Sequence, residues 1–124
     1  MQLILSHKEL DVYRLAYRLA MDIYHLSKNF PTEEKYSLTD QIRRSSRSVA
    51  ANIAEAFRKR RYQKAFVAKL SDSEGEAAET QTWLYFARDS GYINAEICSK
   101  YNNEYEYVLG MIVNMIKSPD KWSI

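Results

Sequence analysis

Between Phe66 and Ala87 the chain sets Phe66, Leu70, Ser73, Ala77, Thr80, Leu84 and Ala87 at alternating steps of four and three, without a slip. That rhythm averages about 3.5 residues and draws a stripe down one side of a helix, whereas a strand needs every second residue. A stripe this long demands a long helix with a cover over one side. The chain supplies the cover itself, because apolar steps of three and four recur in three more stretches. Val12, Ala16, Leu19, Ile23, Leu26 and Phe30 form one seam, and Leu38, Ile42, Ser45, Val49, Ile53 and Ala56 form another. The last consists of Ile97, Tyr101, Tyr105 (or Glu104), Val108, Ile112 and Met115. The second seam has the smaller side chains, which permits close approach of a neighbouring backbone.

Local signals divide the seams into helices at roughly 8–29, 32–58, 62–89 and 94–117. In "FPTEE", Pro31 disfavours helix at the residue before it; Pro31 or Thr32 can open the next helix, with Glu33 and Glu34 near its positive end. "DSGY" places Gly91 just past the third helix, and Asn94 is a natural cap for the fourth. Gly110 weakens that helix by ~1 kcal/mol relative to Ala if exposed. Short connections make sequence neighbours antiparallel, and seams near 3.5 residues pack at the shallow angle of bundles. The expected fold is all-α, an antiparallel up-down-up-down four-helix bundle forming one domain over residues 1–124, with a short tail at 118–124 that docks through Trp122.

Composition agrees and narrows the function. Three Gly and two Pro leave little material for hairpins. Lys and Arg total 18 against 16 Asp and Glu, so a polyanionic partner has to be argued from local clustering. The single cysteine, Cys98, excludes an intrachain disulfide and fits a reducing, cytoplasmic setting as a small core or boundary residue. The opening "MQLILSH" lacks the cationic start of a secretory signal, and no stretch approaches the ~18 apolar residues of a membrane span. His7 and His25 are the only histidines, and neither Glu-x-x-His, His-Glu-x-x-His nor a glycine-rich phosphate loop occurs. No catalytic residue, metal site or cofactor is predicted.

Three polar groupings remain. Lys69, Asp72, Glu76, Glu79 and Trp83 run one position before the third seam; the carboxylates could bind a cation, but pairing with Arg43, Arg44 and Arg47 of the second helix, across helices or subunits, is the better reading. A partly buried pairing would make Glu79 important to stability. Asn52 and Glu55 lie beside the second seam, where partly buried polar groups need partners, so a structural hydrogen-bond network is preferred to a ligand site. Arg58, Lys59, Arg60, Arg61 and Lys64 gather five cations at the junction of helices two and three, with Phe57 and Tyr62 alongside. Cations with an interleaved aromatic suit phosphate contact and base stacking, yet cations at a helix C-terminus also suit the macrodipole. The residues alone leave both readings open, and place Arg60 and Arg61 off the apolar seams.

The stretches "FPTEEKYSLTDQIRRSSRSVAANIAEAFRKRRY" and "KLSDSEGEAAETQTWLYFARDSGYI" resemble the bacterial 23S ribosomal RNA intervening-sequence protein family. The matching positions are Phe30, Pro31, Glu34, Tyr36, Leu38, Gln41 to Arg44, Asn52 to Glu55, Arg58 to Tyr62, Lys69, Leu70, Asp72 and Glu79 to Leu84. Ser37 stands where that pattern has Gly, and Phe57 where it has Trp. The resemblance implies an antiparallel four-helix bundle assembled into a ring, commonly a pentamer, without known catalysis. That family is similar to the accessory proteins of diversity-generating retroelements, which bind nucleic acid and a reverse transcriptase. The expectation is thus a homo-oligomer that binds RNA or DNA through phosphates, with Arg58, Lys59, Arg60, Arg61 and Lys64 as contacts and Arg43, Arg44 and Arg47 divided between subunits and ligand. A reverse-transcriptase-like protein is a further candidate partner. The alternative is a protein-interaction adaptor or scaffold without a nucleic-acid ligand.

Overall fold

The structure is a computed structural model that describes residues 6–122; Met1 to Leu5, on which the reading of the opening segment rests, and the last two tail residues lie outside the described residues. Four α-helices account for most of the chain: α1 (Asp11–Ser27), α2 (Leu38–Arg58), α3 (Gln63–Asp89) and α4 (Ala95–Lys117). No strand occurs among the described residues, and none of their helices is long and apolar enough to cross a membrane. Helices consecutive in sequence pack together, and α4 closes back on α1, leaving the two diagonal pairs out of backbone contact.

The third seam is buried along its whole length, and its seven positions are the buried residues of α3. All six residues of the second seam are buried as well. Because Ser45, Ser73 and Thr80 are small, α2 and α3 approach closely enough to satisfy their hydroxyls across the gap: Ser73 Oγ donates to the Val49 carbonyl at 2.8 Å, and Thr80 Oγ1 lies 2.8 Å from Ser45 Oγ. The first seam is buried except at Leu26, which is half-buried.

The fourth seam requires a correction over its first two turns. Cys98 and Asn102 face the core, whereas Ile97 and Tyr101 are half-buried beside it; from Tyr105 onward the expected register holds, with Tyr105 and not Glu104 inside. The thiol bonds across to α3 and the amide nitrogen bonds back within α4. The Cys98 thiol donates to the Leu84 carbonyl at 3.6 Å and Asn102 Nδ2 to the Cys98 carbonyl at 3.0 Å.

Two helix starts also differ from expectation. The chain before α1 is a short 3₁₀ turn, His7–Glu9, capped by Ser6 and ended by extended Leu10, whose side chain is buried. Pro31 opens only another 3₁₀ turn, Thr32–Glu34, and α2 starts six residues later than predicted. Ser37 precedes it with φ −126° and ψ −101°, and the Glu34 carboxylate accepts from Ser37 Oγ at 2.6 Å and from Leu38 N at 3.4 Å. Glu34 therefore supplies the cap that Ser37 does not.

The other ends follow the sequence. Asn94 Oδ1 accepts from Ile97 N at 2.8 Å. Gly91, at φ +83°, ends α3 with Tyr92 N bonded to the Ala87 carbonyl and Gly91 N to the Arg88 carbonyl, the paired bonds of a left-handed cap. Trp122 in the tail is half-buried and packs against the core.

Candidate nucleic-acid interface

Arg58, Lys59, Arg60, Arg61 and Lys64 are brought together at the sharp turn from α2 to α3, where Lys59 takes φ −99° and ψ 14° and its N–H caps the Ala56 carbonyl. The turn divides them. Arg60 folds back over the buried ring of Phe57, its guanidinium carbon 3.6 Å from the ring centroid, and Nε donates to the Phe57 carbonyl at 2.8 Å. Burial, then the charge of Arg58, lowers its pKa from the ordinary arginine value. Arg60 therefore supports the end of α2, although it lies off the apolar seams. Phe57, standing for Trp, keeps an aromatic contact there, with the His7 ring edge-on at 6.5 Å.

Arg58, Lys59, Arg61 and Lys64 are exposed, and none makes an ion pair among the described residues. Tyr62 beside them is 65% exposed. Three cations elsewhere are engaged: Arg18 with Asp22 and Glu104, Lys69 with Glu55, and Arg88 with Asp89.

The acidic stripe meets only one of the three expected arginines. Arg44 Nη1 lies 3.1 Å from Glu76 Oε2, and Nη2 pairs with Glu79. These side chains are 44%, 26% and 35% exposed, so the two carboxylates are half-buried and Arg44 stands at the surface. Asp72 reaches no arginine and lies 4.0 Å from Lys69 Nζ. Glu55 is exposed and binds Lys69 at 2.7 Å, which holds its carboxyl below the ordinary range. Asn52 donates to the Ser48 carbonyl at 2.9 Å within its own helix. The expected Asn52–Glu55 network is thus two separate local arrangements. Trp83 packs beside Phe86, with ring centroids 5.7 Å apart.

Arg43 and Arg47 turn to the other side of α2 and converge on Tyr24 of α1. Their guanidinium carbons lie 4.9 and 5.8 Å from its ring centroid, with Lys28 Nζ at 4.7 Å. Arg43 Nε donates to Ser27 Oγ at 2.7 Å. Sequence reasoning missed Tyr24 and Lys28. The signal was present as two i,i+4 pairs, Tyr24–Lys28 and Arg43–Arg47, on either side of one connection.

Among the described residues no group of three or more His, Cys, Asp or Glu side chains is placed to hold a metal ion. Cys98 is buried and His25 exposed.

Comparison with known proteins extends the picture. No curated protein matches the chain. A solved structure, that of a protein of unknown function from the S23 ribosomal protein family of Bacteroides thetaiotaomicron, is 31% identical with a TM-score of 0.77, covering 86% of this chain and 95% of that one. The family model described as 23S rRNA-intervening sequence protein matches residues 8–114, from the turn before α1 almost to the end of α4. With motifs, helices and a solved relative in agreement over nearly its whole length, the chain belongs to the 23S rRNA-intervening sequence protein family.

Proposed function

We propose that this protein is a non-enzymatic, homo-oligomeric four-helix bundle, most simply a pentameric ring in the cytoplasm, that binds nucleic acid through phosphate contacts at the α2–α3 turn. The observation that carries the reading is local density: Arg58, Lys59, Arg61 and Lys64 stand exposed within seven positions of one turn and, among the described residues, in no ion pair. Unneutralised cations crowded at one turn repel one another, and a polyanion relieves that repulsion while releasing its counterions. Exposed Tyr62 offers a stacking surface to an unpaired base.

An up-down-up-down course is supported by partners that ascend on one helix as they descend on the next: Ser45 with Thr80, Val49 with Ser73, Glu55 with Lys69. Assembly is supported by aromatic surface the single chain leaves uncovered, including Tyr17, Tyr36, Phe86 and Tyr107.

The test is affinity for a structured RNA and for duplex DNA across a salt series. Binding should fall steeply with salt, each neutralised phosphate adding about 0.7 to 0.9 to the log-log slope, with slight sequence preference. Salt-insensitive or absent binding by pure protein that captures one protein partner, acidic or reverse-transcriptase-like, would replace this reading with the adaptor.

A further inference from the structure

The geometry points to a second, more ordered phosphate site at the other end of α2, in which Lys28, Arg43 and Arg47 surround Tyr24; it rests on the nucleic-acid reading and assigns the ligand a second point of attachment. Three cations within 6 Å of one ring centroid, none in an ion pair among the described residues, form an unusual concentration of positive charge. The ring provides an electron-rich face that holds them, and the Ser27 hydroxyl fixes Arg43 by accepting from its Nε at 2.7 Å. That bond leaves the Arg43 terminal nitrogens for a ligand. Arg43 and Arg47 also line a surface groove of about 570 Å³ together with Lys35, Tyr36 and Arg44, and Tyr36 is 84% exposed. Asp40, the one carboxylate of that lining, is in no ion pair among the described residues. A phosphate oxyanion supplies the charge and acceptors the niche lacks, and guanidinium forks suit it better than a point charge would.

Arg47 and Arg58 are three turns apart on one face of α2, about 16 Å along its axis, and Arg43 lies about 22 Å from Arg58. One nucleic acid can therefore touch both the niche and the basic turn. In a duplex, at 3.4 Å per phosphate along each strand, the span corresponds to roughly five or six phosphates of one strand. The niche sets position and the turn adds charge.

The experiment measures anisotropy of labelled DNA hairpins with 4-, 8- and 16-base-pair duplex stems with wild-type protein, an Arg43→Gln/Arg47→Gln variant and an Arg58→Gln/Arg61→Gln variant, across salt. A parallel arm titrates inorganic pyrophosphate and follows the Arg43 Nε–H resonance. Affinity in the wild type should rise sharply between the 4- and 8-base-pair duplexes. Each double variant should lose about two phosphates' worth of salt slope and flatten that rise. Pyrophosphate should shift the Arg43 signal in wild-type protein and not in Tyr24→Leu. If Arg43→Gln/Arg47→Gln binds every duplex like wild type with unchanged slope, the niche is no contact, although the basic turn stands. If no duplex binds yet pyrophosphate shifts Arg43, the niche stands as a phosphate site and the nucleic-acid reading falls. An Arg43 signal indifferent to pyrophosphate overturns the niche.

Discussion

Replacing Arg60 by Ala removes both the guanidinium stacked on Phe57 and the donor to its carbonyl, which together should cost roughly 1 to 2 kcal/mol. Arg61→Ala touches neither and should change stability by less than about 0.5 kcal/mol while weakening nucleic-acid binding. Urea midpoints of the two variants check the difference, and equal midpoints would count against a supporting role for Arg60. Glu79→Ala should cost about 1 kcal/mol or less, because its pairing with Arg44 is half exposed and Arg44 retains Glu76. A loss of 3 kcal/mol or more would show that a neighbouring copy buries the pair. Spacing alone brought out the meeting of Arg44 with the acidic stripe, since both lie beside their seams. It could not separate Arg60 from Arg61, because their surroundings are set by the backbone reversal at Lys59. Nor could it place Arg43 and Arg47 over Tyr24, which depends on how ten residues between α1 and α2 are laid out.

Among elements, the join before α2 should be the acid-sensitive one. Hydrogen bonds from Ser37 and then from Tyr92 hold the Glu34 carboxyl below its ordinary value of 4.5, and the same contact raises Tyr92 above its ordinary 10.0. A depressed carboxyl adds stability that is fully present above its unfolded value and lost as pH falls through the lower folded one. The raised tyrosine behaves in mirror image, losing its share as pH rises past 10. Glu34→Gln should therefore narrow the gap between urea midpoints at pH 7 and pH 3, with Glu55 and Asp89, lowered by Lys69 and Arg88, keeping part of it. An unchanged gap would show that Glu34 caps nothing. The α2–α3 contact makes a second prediction. Ser73 is fully buried and bonded to the Val49 carbonyl, so Ser73→Leu should cost about 1 to 3 kcal/mol by overpacking, whereas exposed Ser71→Leu should cost under about 0.5, both read from thermal midpoints. Legibility at this scale followed chemistry. The third seam was plain because no stronger apolar stripe competes with it. The fourth misled for two turns because Ile97 and Tyr101 are more apolar than Cys98 and Asn102, which face the core with the thiol bonded to the Leu84 carbonyl of α3 and the amide nitrogen to the Cys98 carbonyl. The delayed start of α2 was hidden because the Pro31–Glu34 signal is spent on a 3₁₀ turn.

At the scale of the molecule, the proposed function needs many copies, since four exposed cations on one small bundle give a modest grip. Joining such patches makes later contacts intramolecular, and avidity can exceed the single-site affinity by about 10²- to 10⁴-fold when the geometry allows it. Between α1 and α2 a groove of about 340 Å³ has Arg47, Ala50, Ala51 and Ala54 on its α2 side and Tyr13, Tyr17 and Met21 on its α1 side, with Tyr17 55% exposed. Small residues opposite an aromatic wall would let a helix of another copy come close. Placing a carboxylate there should disrupt association without unfolding the chain, because Tyr17 lies outside the core. Wild-type protein should give a light-scattering mass that is a multiple of its 14.6 kDa chain, five-fold in the simplest ring. Tyr17→Glu should fall towards one chain with its helical circular dichroism intact. Its affinity for a long RNA should drop at least about ten-fold while its affinity for an 8-base-pair duplex falls much less, since the cations of the basic turn are untouched. A wild-type mass of one chain across micromolar concentrations would remove the ring, and equal losses on long and short RNA would mean that Tyr17 serves the ligand and not the assembly.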